Sequence, residues 1–239
     1  MRRRAIWAHT AGPDEPAAQI WDFMARNKVA PAIRPEPSTE WDAVYRSNKV
    51  EELPWYTPGL DRDIAGAIKK LGLKTGRVLD VGSGPGTQAI GMARLGFDVT
   101  GLDIASTAVA KARARARSEG VKAKFVVGDV IETRLRPAQF DLINDRGVFH
   151  TIDPGRRQAF VHAIRRLLKD NGVYLMKCFS TKTPGDWGPH RFTMGQVRDY
   201  FGGDFDIKSM RESVFQGTLK QSPITIFCVM RARKRYKTR

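Results

Sequence analysis

The sequence predicts an α/β fold: a doubly wound, mostly parallel sheet of seven strands with an antiparallel C-terminal hairpin strand. Three observations carry this. From Asp61 onward, short apolar runs alternate with helical patterns of about 10–15 residues, the spacing of helices that cross over a parallel sheet and cover both its faces. A glycine-rich turn follows the first run at once, in RVLDVGSGPGTQ (77–88). The last two runs, FDIKSMRESVF (205–215) and SPITIFCVMRA (222–232), have no helix between them. That absence predicts an antiparallel hairpin closing one edge of the sheet.

The elements follow in order. DRDIAGAIKKLG (61–72) reads as a helix and RVLDVG (77–82) as a buried strand. TQAIGMARLG (87–96) is a helix ending at a glycine, and DVTGLDI (98–104) is the second strand. An Ala-, Arg- and Lys-rich helix (105–118) leads to AKFVVGDV (123–130) and then FDLINDRGV (140–148). The helix RRQAFVHAIRRLLKDNG (156–172) precedes the strand GVYLMKCFS (172–180). Upstream, AAQIWDFMARNKV (17–29) places Ile20, Trp21 and Met24 on one side of a helix that would serve as a lid. APAIRPEPSTE (30–40) reads as a proline-rich linker. The expected organisation is an N-terminal extension (1–40), a main domain (41–231) and a basic tail (232–239).

Composition narrows the function. The chain has 239 residues, enough for one sizeable core. Its two cysteines, Cys178 and Cys228, lie inside apolar segments, which suits free thiols in a reducing compartment and neither a disulfide framework nor a metal site. No apolar run approaches the ~18 residues of a membrane span, and MRRRAIWAHT has no apolar stretch behind its basic start. The expected setting is cytoplasmic. The net charge of +16 invites a nucleic-acid partner. Nine of the 41 basic residues, however, sit at the two ends: Arg2, Arg3 and Arg4, and six in RARKRYKTR (231–239). The remaining 32 face 25 acidic residues, so much of the excess belongs to terminal tails.

The glycine loop asks what it holds. A dinucleotide fingerprint G-x-G-x-x-G would need its third glycine at Thr87, and a P-loop would need a lysine after Gly86. Asp80 would also repel a phosphate. In open α/β sheets ligands sit at the carboxyl ends of the strands, and these ends carry Asp80, Asp103, Asp129 and Asn144-Asp145-Arg146. An ionised carboxylate such as Asp103 accepts two hydroxyls of a ribose, although Asp is also favoured as a helix cap. The combination points to a nucleoside without phosphate, such as an adenosine carrying an amino-acid tail and a sulfonium.

VLDVGSGPG (78–86), VTGLDI (99–104), FVVGDV (125–130) and FDLINDRGVFH (140–150) together resemble the successive motifs of class I S-adenosylmethionine-dependent methyltransferases. The resemblance implies a Rossmann-like fold and S-adenosylmethionine as cofactor, with Gly82, Gly84 and Gly86 under the methionine moiety. It places Asp103 on the ribose and Asp129 and Val130 beside the adenine. With Trp55, Asp80, Ser83, Ile104, Gly128, Asn144 and Asp145 these complete the expected cofactor contacts. A narrower likeness, carried by PWYTPGLD (54–61), DRGVFH (145–150), CFS (178–180) and GPHRF (188–192), is to the thiopurine S-methyltransferase-like branch. It implies a small-molecule acceptor: a thiol, a chalcogen compound or an aromatic heteroatom.

Asp145 and Arg146, just past the fourth strand, are the expected catalytic groups, with His150 as a candidate base; the rival reading is an Asp–Arg pair that fixes the loop. Trp187, His190 and Arg191 lie on a Gly- and Pro-rich loop expected to shape the acceptor pocket. Against a nucleic-acid substrate stand the absent N/D-P-P-Y/F box, replaced by NDRGVF (144–149), and the lysine that precedes Cys178 where base C5-methylation commonly uses a Pro-Cys pair. Nucleic acid remains the alternative acceptor, and a non-catalytic cofactor-binding module the third reading.

Overall fold

The computed structural model describes residues 37–185 and 189–235. The expected lid helix (17–29), Trp187 and the last four residues lie outside this range. The strands are β1 (Arg77–Val81), β2 (Asp98–Asp103), β3 (Lys124–Val127), β4 (Phe140–Arg146), β5 (Leu168–Phe179), β6 (Phe205–Val214) and β7 (Ile224–Ala232). The helices are α1 (Pro37–Ser47), α2 (Arg62–Lys70), α3 (Thr87–Arg94), α4 (Ser106–Ser118), α5 (Arg157–Leu167) and α6 (Met194–Phe201). All seven strands form one sheet in the order β3-β2-β1-β4-β5-β7-β6. Neighbours from β3 to β5 pair in parallel, whereas β7 runs antiparallel to both β5 and β6.

The period-2 alternation of each strand divides the core between the two faces of the sheet. Leu79, Val81, Ile143, Tyr174, Met176 and Cys228 join Phe149, Phe160 and Phe201 on one face. Val78, Leu142, Val173, Leu175 and Phe227 meet Ile64, Ile90 and Val109 on the other. Central strands buried on both sides must be apolar throughout, and β1 is buried at every residue after Arg77. The helix that leads into β1 is well capped. Asp61 caps α2 by accepting from the Asp63 backbone N–H, and Ile64, Ala67 and Ile68 turn inward at helical spacing.

Four local details differ from the sequence reading. Helix α1 begins at Pro37, inside the proline-rich segment; proline is tolerated in a helix's first turn. Helix α5 stops at Leu167, and the strand starts there rather than at Gly172, with Asn171 in a left-handed conformation. Helix α6, opened by a capping box between Thr193 and Gln196, lies in a stretch for which the sequence reading named no element. The hairpin does close the sheet, but its second strand is not the edge. β7 is buried along nearly its whole length, while β6 turns mostly polar residues outward. The apolar strand therefore sits between two neighbours and the polar one takes the edge, where charged side chains discourage further pairing.

Candidate active site

The glycine turn after β1 depends on left-handed backbone at Gly82, Gly84 and Gly86, with φ of 61°, 51° and 84°. Space reinforces the requirement. A Cβ on Gly82 would run into Val148, and one on Gly84 would lie 2.8 Å from the Tyr45 hydroxyl. The turn is tied to β2 by Ser83 N–H donating to Leu102 O at 3.1 Å and Gly84 N–H donating to Asp103 Oδ2 at 2.7 Å.

Two cavities open over this turn. The larger, about 170 Å³, is lined by Gly82, Asp103, Ile104, Gly128, Asp129 and Val130 at one end and by Arg146, His150 and Phe215 among others. The smaller, about 40 Å³, is lined by Asp80, Ser83, Gly84, Thr87 and Gln88 among others. Tyr45, Trp55, Gly82 and Arg146 line both, so the two spaces meet there. An aromatic cover spans the junction: Trp55 packs edge-on to Trp41 at 5.6 Å and to Tyr45 at 6.2 Å.

The carboxylates differ in their use. Asp80 is 2% exposed; its Oδ1 accepts from Asn144 Nδ2 at 2.7 Å, and its Oδ2 has no hydrogen-bond partner among the described residues. Burial pushes its pKa up to about 7, with the nearby Asp103 and Asp145 charges adding to the rise against the Asn144 hydrogen bond. Asp103 accepts from Ala105 N–H at 2.9 Å as well as from Gly84, so it does brace the start of α4 as a cap would. A carboxylate oxygen can accept more than one hydrogen bond, and Asp103 lines the larger cavity. Burial raises Asp103 to about 6 despite these bonds. Asp129 is paired with Arg156 at 2.8 Å and bonds the Ile131 N–H.

Asp145 is placed differently from the expectation. It lines neither cavity. Its Oδ1 accepts from Val148 N–H at 2.7 Å, and its Oδ2 from Phe149 N–H at 3.1 Å and from the Tyr174 hydroxyl at 2.8 Å. It is a buried brace for the loop after β4. Nor does it pair with Arg146. Arg146 Nε donates to Asp61 Oδ2 at 2.9 Å, Nη1 donates to Trp55 O at 2.9 Å, and Nη2 bonds Gln216 O. Its guanidinium lies 4.3 Å over the Phe215 ring, at the junction of the cavities.

His150 lies on the cavity wall, 3% exposed, with its Nδ1 accepting the Phe179 backbone N–H at 3.0 Å. The neutral ring then carries its proton on Nε2, so that nitrogen donates rather than accepts. This geometry opposes a role as base there. His190 and Arg191 line neither cavity. The His190 N–H donates to His150 O at 3.0 Å, and Arg191 Nη1 bonds the carbonyls of Thr183, at 2.9 Å, and Gly185. Both organise the loop after β5 instead.

The sequence reading missed Tyr45, Trp41, Phe215 and, behind Arg146, the buried pair Asp61–Lys177. Lys177 did leave a signal. A lysine inside the apolar run VYLMKCF must find a buried partner, because an unpaired buried charge is prohibitively costly.

The walls suit a nucleoside bearing an amino acid. The unpartnered Asp80 Oδ2 and Ser83 Oγ are buried at the smaller cavity. Asp103 stands beside apolar Ile104 and Val130 in the larger one. Such a wall offers acceptors for an ammonium group and for ribose hydroxyls, and an apolar slot of the kind an adenine fills.

The order of the sheet and the walls of the two cavities fit those of class I S-adenosylmethionine-dependent methyltransferases. The family described as "Methyltransferase domain" matches residues 78–172. The chain is 39% identical over 103 residues to ubiquinone biosynthesis O-methyltransferase of Klebsiella pneumoniae subsp. pneumoniae, covering 42% of this chain and 41% of that protein. It is 27% identical over 166 residues to 2-heptyl-1-hydroxyquinolin-4(1H)-one methyltransferase of Mycobacteroides abscessus, covering 66% and 73%. Among solved structures, one described as "Conversion of a Disulfide Bond into a Thioacetal Group during Echinomycin Biosynthesis" superposes with a TM-score of 0.75 at 26% identity, over 85% of this chain and 95% of the other. The chain spans about two fifths of the length of the first curated relatives it matches. Nothing among these similarities singles out the thiopurine S-methyltransferase-like branch.

Proposed function

We propose that this chain transfers the methyl group of S-adenosylmethionine to a small-molecule nucleophile, a thiol, chalcogen or aromatic heteroatom. The observation that carries the reading is the junction of the two cavities: the wall suited to the cofactor ends where Arg146, Phe215 and Trp55 begin an aromatic, cationic pocket. The bound cofactor supplies an activated sulfonium methyl. The chain's own task is to position and to exclude water. Asp80 and Ser83 hold the amino-acid end, Asp103 the ribose, and Ile104, Gly128, Asp129 and Val130 the adenine end. Trp55, Tyr45 and Trp41 cover the junction. Arg146 orients an acceptor ring or anionic group, with Phe215 beneath its guanidinium. His150 offers an Nε2–H rather than a base, and Asp145 holds the loop that carries both.

The names of the relatives support a small acceptor, since they act in ubiquinone biosynthesis and on a hydroxyquinolinone. The structural neighbour's sulfur chemistry supports a thiol among the candidates. A nucleic-acid acceptor gains less support. Ala232 pairs with Phe205 at the start of β6, so Arg233 and Arg235 leave the sheet at the end opposite the glycine turn. Incubation with S-adenosylmethionine and a panel of aryl thiols, phenols, aliphatic thiols and RNA, read by mass spectrometry, tests the proposal. Methylation of a small molecule is expected. Methylation of RNA alone, or cofactor binding with no transfer to any of them, would overturn it.

A further inference from the structure

Behind Arg146 lies a buried lattice of charged side chains that the proposed chemistry does not use. Lys177, in β5 and 1% exposed, donates to both oxygens of Asp61 at 2.8 Å, lies 2.6 Å from Asp63 Oδ2 and donates to Val214 O at 3.2 Å. Asp61 is 0% exposed and accepts from Arg146 Nε at 2.9 Å. Arg211 and Ser213 of β6 close the lattice on Asp63. Neither Asp61, Asp63 nor Lys177 lines a cavity. The strands' alternation explains the meeting: Arg146 shares a face with Leu142, and Lys177 with Val173 and Leu175, all turned toward the α2 side.

Stability alone is a weak reason for such a lattice, since apolar side chains of similar volume usually serve a core as well as buried ion pairs. Its charge is more telling. In direct contact, Asp61 and Asp63 face Arg146, Lys177 and Arg211, which leaves one positive charge in excess; Asp80, whose charge also acts on Arg146 through space, is matched in the proposed complex by the cofactor's ammonium group. The only member that reaches the cavities is Arg146. Without Lys177 the lattice would be neutral, and Asp61 would answer to Arg146 alone.

We propose that Lys177 and Asp61 are positioning residues that fix Arg146 at the junction of the cavities and set the excess positive charge there, so that the site selects an acceptor bound as an anion, an aryl thiolate or aryl oxyanion. This deepens the methyltransferase reading and rests on it. The acceptor's proton is lost to solvent before binding, which accords with a pocket whose histidine is held as a donor.

The test uses the full chain loaded with S-adenosylhomocysteine, so that binding is read without turnover. The probes are 4-nitrothiophenol, ionised at pH 8, and its uncharged methylated counterpart 4-nitrothioanisole, titrated by calorimetry. The thiolate is expected to bind about tenfold tighter, the scale of one charge across several ångströms of partly screened protein. Lys177→Met removes most of that preference, leaving thioether and S-adenosylhomocysteine affinities within about twofold. Asp61→Asn adds a net positive charge and moves thiolate affinity the opposite way. A purely structural lattice would move both variants, and both probes, in one direction, and that result overturns the proposal. So does equal binding of the two probes by the wild type, or no thiolate binding to protein that holds S-adenosylhomocysteine. Arg211→Gln, on a half-exposed side chain, lowers the thiolate preference with the same sign and decides the matter if Lys177→Met does not fold. Failure to bind S-adenosylhomocysteine at all overturns the methyltransferase reading, and this inference with it.

Discussion

The Gly84 backbone N–H donates to Asp103 Oδ2 at 2.7 Å, so the turn after β1 and the end of β2 move as one unit. Replacing Asp103 therefore has two consequences. Asp103→Ala removes an acceptor for the ribose and leaves the Gly84 and Ala105 N–H groups without their partner. S-adenosylmethionine affinity should fall by about 1.5–3 kcal/mol, the scale of a lost charge-assisted hydrogen bond, and unfolding should come at lower temperature. Titration calorimetry and a thermal melt on the same sample check both; unchanged affinity in a folded variant removes Asp103 from the ribose.

Gly82→Ala should destabilise the protein by at least about 1–2 kcal/mol, the cost of a side chain in left-handed backbone, plus the collision with Val148. In a Val148→Ala background the collision disappears and the backbone cost stays. Denaturant unfolding of the two single variants and the double variant should show the second substitution recovering part of the loss. Strict additivity would mean that Val148 does not set the limit.

Asp145→Ala should be costly to the fold before it is costly to chemistry, because three donors lose a buried acceptor. A loss of about 2–4 kcal/mol is expected from buried donors left unpaired. Tyr174→Phe, which deletes one of the three, should cost about 1 kcal/mol and leave turnover close to wild type. A stable Asp145→Ala protein with abolished turnover would return Asp145 to the reacting atoms.

Acidity acts on binding and on stability in opposite senses. Asp80 at about 7, and Asp103 and Asp145 at about 6, titrate above their ordinary carboxylate value because they are buried. Between about pH 4 and 7 the folded protein therefore holds protons that the unfolded chain has released, and these three groups make the ligand-free fold less stable as pH rises through that window. A cationic cofactor favours the ionised carboxylates, so its affinity should rise from pH 6 to 8 with proton release, by at most tenfold per unit for each proton. Calorimetry in buffers of different ionisation enthalpy measures the protons released. Affinity independent of pH would sink the assignment of Asp80 to the cofactor's cationic end.

The glycine turn was legible because left-handed backbone and close approach leave few alternatives to glycine at positions 82, 84 and 86. The sheet was legible because crossover helices separate its strands. The partners of Asp145 were not legible from its place after a strand, although the alternation indicated the face it takes. Asp145 has the parity of Ile143, which joins the core cluster containing Tyr174, while Arg146 has the parity of Leu142 on the α2 face. The partners of Arg146 were hidden for a different reason: Asp61 lies 85 residues away in sequence, beyond the reach of any local pattern. His190 and Arg191 line neither cavity, and the loop uses them on its own carbonyls and backbone.

The position of β7 has a consequence for how the protein is made. The strand that lies between β5 and β6 is synthesised after both. A nascent chain that has emerged only as far as β6 presents the apolar flank of β5 with no partner on that side, and β6 has nothing to join. Until Ile224–Ala232 clears the ribosome, the growing chain carries an open, aggregation-prone edge beside its half-built ion-pair lattice. Synthesis of these last nine strand residues turns an unfinished sheet into a closed one.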